Sequence, residues 1–261
     1  MTEEEHEFPK FERVLAVHAH PDDPDFGAAG TVARLVEEGA EVNYVIATDG
    51  SEGGEDPSVP AEELRDRRYR EQREAARRLG VAEVVFLGYP DGRLSHTVEL
   101  RRDITRQIRR FRPELVLTHV AWIDPDMGIG GYHPDHLAVG QATLAAVYPA
   151  ARNPRAFPEL LAEGLEAWKT REVWIPYWDK GDFWVDISAY GERKLEALRA
   201  HESQFQNVGD IEKFMRARMK ELGEKKGWGA AESFKRIIAD RPAPPPEPEP
   251  ADNKAGAEVN R

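Results

Sequence analysis

The chain has 261 residues, 40% hydrophobic and 32% charged, enough for one sizeable domain with a buried core. Its 48 acidic residues outnumber 36 basic ones, and a net charge of −12 repels a phosphate backbone, which argues against nucleic acid as a partner. Without a single cysteine it can form no disulfide, iron–sulfur cluster or thiolate-held zinc site.

No apolar run reaches the length of a membrane span. The opening MTEEEHEFPK is acidic and lacks the apolar core of a secretory signal, so a cytoplasmic location is expected. Arg13–Ala19 (RVLAVHA) reads as a short strand, and Gly27–Gly39 as a helix closed by glycine. Glu41–Thr48 is a second strand, running into the glycine-rich DGSEGGED. Ala61–Leu79 reads as a long charged helix whose basic residues interleave with Glu71 and Glu74, the pattern of a solvated face. Ala82–Leu87 is a third strand, before the turn YPDG. Val98–Phe111 is helical, Leu115–Val120 a fourth strand, and His133–Tyr148 a helix with proline in its first turn. Further on, Glu172–Trp178 and Phe183–Ile187 read as strands, Tyr190–Gln204 and Ile211–Leu222 as helices. Residues 241–261, rich in proline, glutamate and alanine, cannot bury much and are expected to be a disordered tail after a single domain over 1–240.

Alternating strands and helices predict an α/β fold: a Rossmann-like, mostly parallel sheet with helices on both faces and a small mixed C-terminal extension. Ligands of such sheets sit beyond the carboxyl ends of the strands. The polar clusters His20 to Asp25, Thr48 to Glu52, Asp91 and the loop before His133 all fall there.

Two tetrapeptides carry the chemistry, His20-Pro21-Asp22-Asp23 and His133-Pro134-Asp135-His136. Either alone could be a helix start with aspartate in the first turn. Together, at strand ends of one sheet, they point to a metal. Two imidazoles and a carboxylate suit Zn2+, with Fe2+ or another divalent ion also accommodated, and three protein ligands leave a position for water. A second carboxylate alongside could act as general base.

The paired motifs resemble the PIG-L/LmbE family of zinc-dependent N-deacetylases, whose members include the deacetylases of mycothiol and bacillithiol biosynthesis and of N-acetylglucosaminyl-phosphatidylinositol. The likeness extends to Arg68-Tyr-Arg-Glu71 with Ala75-Ala76 and Leu79-Gly80-Val81, to FLGYPDGRL, to His201-Glu-Ser-Gln204 and to Ala231-Glu-Ser-Phe234, spanning about Arg13 to Ile238. The resemblance implies His20, Asp23 and His136 as metal ligands and Asp22 as the base that deprotonates a water. It implies His133 as the group that stabilises the oxyanion or protonates the leaving amine, oriented by Asp135. Arg68 and Asp91 match positions that hold substrate. It further implies removal of an N-acetyl group from an N-acetylglucosamine-type small molecule or glycoside, and a homo-oligomer.

Asp25 departs from the family, standing behind Pro24 where a glutamate is usual; it is expected to cap the following helix. His18 reads as a buried histidine beside the site, and His201 as structural or near the rim. Tyr132 could add a phenol to the oxyanion site. Trp168, Trp174, Trp178 and Trp184 read as core packing, with sugar stacking the alternative. Other readings are a larger acyl or thiol-conjugate substrate, a non-haem Fe(II) oxygenase, and a metal- or sugar-binding protein without catalysis. The expected parallel sheet and the adjacent base Asp22 weigh against the oxygenase, and intact Asp22 and His133 against loss of catalysis.

Overall fold

A computed structural model describes residues 8–54, 56–125, 132–178, 180–205 and 207–240. The tail expected over 241–261 lies outside them. Seven strands form one sheet: β1 (Arg13–His18), β2 (Glu41–Thr48), β3 (Glu83–Tyr89), β4 (Leu115–Thr118), β5 (Glu172–Pro176), β6 (Phe183–Asp186) and β7 (Ala231–Ile238). Their order is β3-β2-β1-β4-β5-β7-β6. The first five run parallel to their neighbours, and β7 pairs antiparallel with both β5 and β6. The helices are α1 (Asp23–Glu37), α2 (Ala61–Leu79), α3 (Val98–Phe111), α4 (Pro134–Ala145), α5 (Pro158–Ala162), α6 (Gly191–Leu198) and α7 (Val208–Glu224).

β1 and β4 are buried almost throughout, as parallel strands covered on both faces must be. Alternate side chains feed two cores. Val14, Ala16, Tyr44 and Leu117 pack on one face beneath α1, α2 and α6. Leu15, Val17, Val45 and Val116 pack on the other beneath α3 and α4. The carboxyl ends of β1, β2, β3 and β4 lie side by side, and the polar clusters of the sequence emerge there.

Helix α1 begins at Asp23, four residues ahead of the periodic pattern, because the motif aspartates and Pro24 form its first turn. The long helix expected from Tyr190 stops at Leu198, and Glu202–Gln204 forms a separate 3-10 turn. Strand β7 was not legible as a strand. Its buried positions hold Glu232 and Ser233, which interrupt the apolar signal. Both are satisfied by partners remote in sequence: Glu232 by Lys194 and by the N–H groups of Gly30 and Thr31, Ser233 by the carbonyl of Tyr177. The C-terminal strands therefore continue the main sheet. Among the described residues no helix is long and apolar enough to cross a membrane.

Candidate metal centre and active site

The chain leaves β1 at His18 and turns into α1 through the first motif. His20 is almost buried, with its ring held from one side by two carboxylates. Nε2 lies 3.0 Å from Asp91 Oδ1 and 3.2 Å from Asp135 Oδ2. Burial raises both carboxyls, but hydrogen bonding to His20 and to backbone N–H groups holds them below the ordinary range. Ionised carboxylates only accept, so Nε2 carries a proton. Nδ1 is then the position at which a second proton or a metal ion competes.

Nδ1 of His20 faces His136 Nε2 at 3.1 Å and Asp23 Oδ2 at 3.3 Å, and His136 Nε2 lies 3.1 Å from Asp23 Oδ1. Three ligands at zinc–nitrogen or zinc–oxygen distances in a tetrahedral array stand about 3.3 Å apart. The spacing fits a divalent ion. The electrostatics agree: against burial, the hydrogen bonds to Asp135, Asp23 and Asp91 push His20 up to about 12. Three carboxylates thus gather round one imidazole.

The same volume holds further donors. His20, His133 and His136 form one grouping within metal-binding reach, and Asp23, His119 and His136 another. His119 went unread in the sequence. Its ring stacks on His136 with centroids 4.1 Å apart, and Nε2 lies 3.2 Å from Asp23 Oδ2. The available signal was register. Val17 pairs with Thr118, so the residues following them, His18 and His119, leave adjacent strands side by side. His18 is buried as expected, edge-on to His119 with neither ring nitrogen hydrogen-bonded among the described residues. Burial keeps it neutral, well below its ordinary pKa, with His119 adding to the effect.

Asp22 is the residue before α1, with φ 97° and ψ −32°. An L-residue enters this left-handed region at a cost of about 1–2 kcal/mol. An aspartate there in ordinary geometry would accept from the helix N–H groups, but Asp22 makes no side-chain cap bond. Burial pushes its carboxyl up to about 6, with Arg68 opposing. Asp25, expected to cap the helix, is instead fully buried against Gln72 and His201.

Arg68 and Asp91, expected to hold substrate, are both buried against the first motif. Arg68 is 4% exposed and donates to the carbonyls of Pro21 and Gly50, with Asp22 Oδ2 3.6 Å away. Asp91 accepts from Glu52 N and supports His20. Neither lines the cavity over the site. Both brace the turn that carries the first motif.

His133 precedes α4, and its Nδ1 accepts from the N–H of Asp135 at 3.2 Å. The imidazole proton therefore sits on Nε2. Burial lowers its pKa, and His20 and His136 lower it further. The Asp135 side chain does not orient His133, as the resemblance implies. Its carboxylate accepts from Gly92 N at 2.8 Å and Leu94 N at 3.0 Å and supports His20. The peptide of Asp135, not its carboxylate, fixes the His133 ring.

A cavity of about 190 Å³ opens over Asp23, His119, His133 and His136, walled by Phe26, Trp122 and Trp178. The tryptophans thus divide: Trp174 is wholly buried core, whereas Trp178 stands at the cavity wall. The Tyr132 hydroxyl is buried, lacks a hydrogen-bond partner among the described residues, and belongs to a residue of the same cavity. His201 is fully buried, with Nε2 2.8 Å from Asp25 Oδ2.

An open parallel sheet with two His-Pro-Asp motifs converging at its carboxyl edge defines an α/β protein with a candidate catalytic metal centre. The PIG-L family profile, described as GlcNAc-PI de-N-acetylase, matches residues 15–147. A diacetylchitobiose deacetylase of Thermococcus kodakarensis is 36% identical over 230 residues, covering 87% of this chain and 84% of that one. A probable N-acetyl-alpha-D-glucosaminyl L-malate deacetylase 2 of Bacillus anthracis is 32% identical, covering 74% and 81%. The solved N,N'-diacetylchitobiose deacetylase of Pyrococcus horikoshii, complexed with an inhibitor, superposes with a TM-score of 0.80 at 33% identity, over 88% of this chain and 85% of that one. The chain belongs to the PIG-L family.

Proposed function

We propose that the chain is a metal-dependent N-deacetylase that removes the acetyl group from an N-acetylglucosamine-type small molecule or glycoside. The observation that carries this reading is that the two oxygens of Asp23 lie 3.3 Å from His20 Nδ1 and 3.1 Å from His136 Nε2, with those nitrogens 3.1 Å apart, next to a carboxylate, Asp22, withheld from helix capping. The named activities of the similar proteins supply the substrate class.

His20 Nδ1, Asp23 and His136 Nε2 would hold the ion, for which zinc is our choice from the two-nitrogen, one-oxygen donor set. When bound, it would acidify a water and polarise the amide carbonyl. Asp22 takes the proton of the attacking water on its carboxylate. With a carboxyl near 6 it is mostly ionised at neutral pH, yet acidic enough to return that proton to the departing nitrogen. His133 presents Nε2–H, and the Tyr132 hydroxyl a second donor, to the carbonyl oxygen as negative charge builds there. Asp91 and Asp135 keep the His20 ring in one tautomer. The products are acetate and the amine in its ammonium form: one proton of the water reaches nitrogen through Asp22, and the other passes to the amine as the acid ionises.

The test is amine and acetate release from N-acetylglucosamine and diacetylchitobiose, using protein stripped by chelator and then given Zn2+ or Fe2+. Release that depends on metal and disappears in Asp22→Asn, with metal content retained, is the expected result. Stoichiometric metal without release from either sugar would overturn the substrate class.

A further inference from the structure

The peptide joining Pro21 to Asp22 is gripped on both sides by α2. Its carbonyl accepts from Arg68 Nη2 at 2.8 Å, and its N–H donates to Gln72 Oε1 at 2.7 Å. Arg68 and Gln72 are four residues apart, one turn on the same helix face. The tilt of that peptide plane sets φ of Asp22. A flipped peptide would return Asp22 to negative φ, where the carboxylate of a residue preceding a helix ordinarily turns to the helix N–H groups.

The Gln72 amide is itself anchored. Its Nε2 donates to Asp25 Oδ2 at 2.8 Å, the same oxygen that lies 2.8 Å from His201 Nε2. A carboxylate only accepts and a backbone N–H only donates, so the two ends of the amide cannot exchange. Gln72, Asp25 and His201 are fully buried, and none of them lines the cavity. An amide, a carboxylate and an imidazole in a protein core are costly to place there unless they do something an apolar cluster cannot. Their chain of hydrogen bonds ends on the backbone N–H of Asp22, the residue proposed as the base.

We propose that Gln72, anchored by Asp25 and His201, is a positioning residue that works with Arg68 to lock the Pro21–Asp22 peptide and hold the Asp22 carboxylate free for the attacking water. The proposal rests on Asp22 being the general base. It assigns Gln72, Asp25 and His201 no contact with substrate or metal; they act through the conformation of one residue.

The test is a double-mutant cycle on the zinc-loaded protein with diacetylchitobiose. Gln72→Leu removes both bonds at nearly constant volume and lowers kcat about 100-fold, the scale of a misplaced catalytic group. KM stays within about twofold, metal stoichiometry is unchanged, and hydrogen exchange at the Asp22 amide accelerates. In an Asp22→Asn background, Gln72→Leu has no further effect on the residual rate, because the group it positions is gone. A second route covers failure of Gln72→Leu to fold. Gln72→Glu alone is impaired, and adding Asp25→Asn restores kcat to within about fivefold of the parent, since the reversed pair again accepts from the Asp22 N–H. If the two losses in the cycle multiply, or the reversed pair fails to recover, the positioning role is wrong while the deacetylase reading stands. If Asp22→Asn alone retains full turnover, both fall.

Discussion

Asp135 supports the imidazole of His20: its Oδ2 lies 3.2 Å from Nε2, and the same carboxylate is fixed by the N–H groups of Gly92 and Leu94. The second motif therefore reaches across to orient a proposed ligand in the first. Asp135→Ala is expected to weaken metal affinity by about 10–100-fold, the usual effect of losing such a support. Competition with a chelator of known affinity measures it directly. Unchanged affinity together with a large loss of kcat would assign Asp135 to His133 instead.

His133 holds its proton on Nε2 because Nδ1 is occupied by the Asp135 N–H. His133→Gln retains volume and a donor but no ring. It is expected to lower kcat by about 10²–10³-fold with metal content intact, within the range of general acid and oxyanion groups. Metal analysis beside steady-state kinetics checks this, and loss of the ion in step with activity would make His133 a ligand.

Lys194 and Glu232 form a buried pair at 2.6 Å that also enters helix α1, Glu232 taking the N–H groups of Gly30 and Thr31 and Lys194 the carbonyl of Phe26. Glu232→Gln leaves a buried ammonium without its counter-charge. About 3–5 kcal/mol of stability should be lost, readable in urea unfolding at constant m-value. A loss below about 1 kcal/mol would mean the pair is hydrated in solution.

Burial lowers the His201 pKa, but the Asp25 carboxylate outweighs it and the net shift is upward from 6.5. A folded-state value above the unfolded one adds stability that is fully present below about 6.5 and lost as pH rises through the folded value. His201→Gln should therefore cost more at pH 6 than at pH 9. Thermal melting of both proteins across that range tests the sign, and a gap that widens with pH would show the imidazole to be neutral in the folded protein.

The sheet and most of the site were readable because their signals are local. Glu41–Thr48, Ala61–Leu79 and Val98–Phe111 declare themselves by periodicity and by glycine or arginine at their ends, and the structure gives those bounds. The two His-Pro-Asp motifs mark the two halves of the site within four residues each. What stayed hidden depends on contacts across the chain. His119 is one histidine at the end of a strand until β4 lies beside β1. Gln72 is an unremarkable helix residue until Asp22 takes a positive φ beside it. Arg68 and Asp91 were assigned to substrate by resemblance, and only their burial places them under the turn.

Strand β7 lies between β5 and β6, so the last described strand in sequence is inserted into the sheet rather than added at its edge. Its Glu232 reaches into α1, the helix whose first turn carries Asp23. A chain still emerging from the ribosome can pair β1 to β4 early, since those strands come first and their neighbours are already made. The N–H groups of Gly30 and Thr31 in α1 meet their Glu232 acceptor only once β7 is in place. A chain cut before Ala231 would leave those donors, and the Lys194 ammonium, without the one carboxylate that joins them.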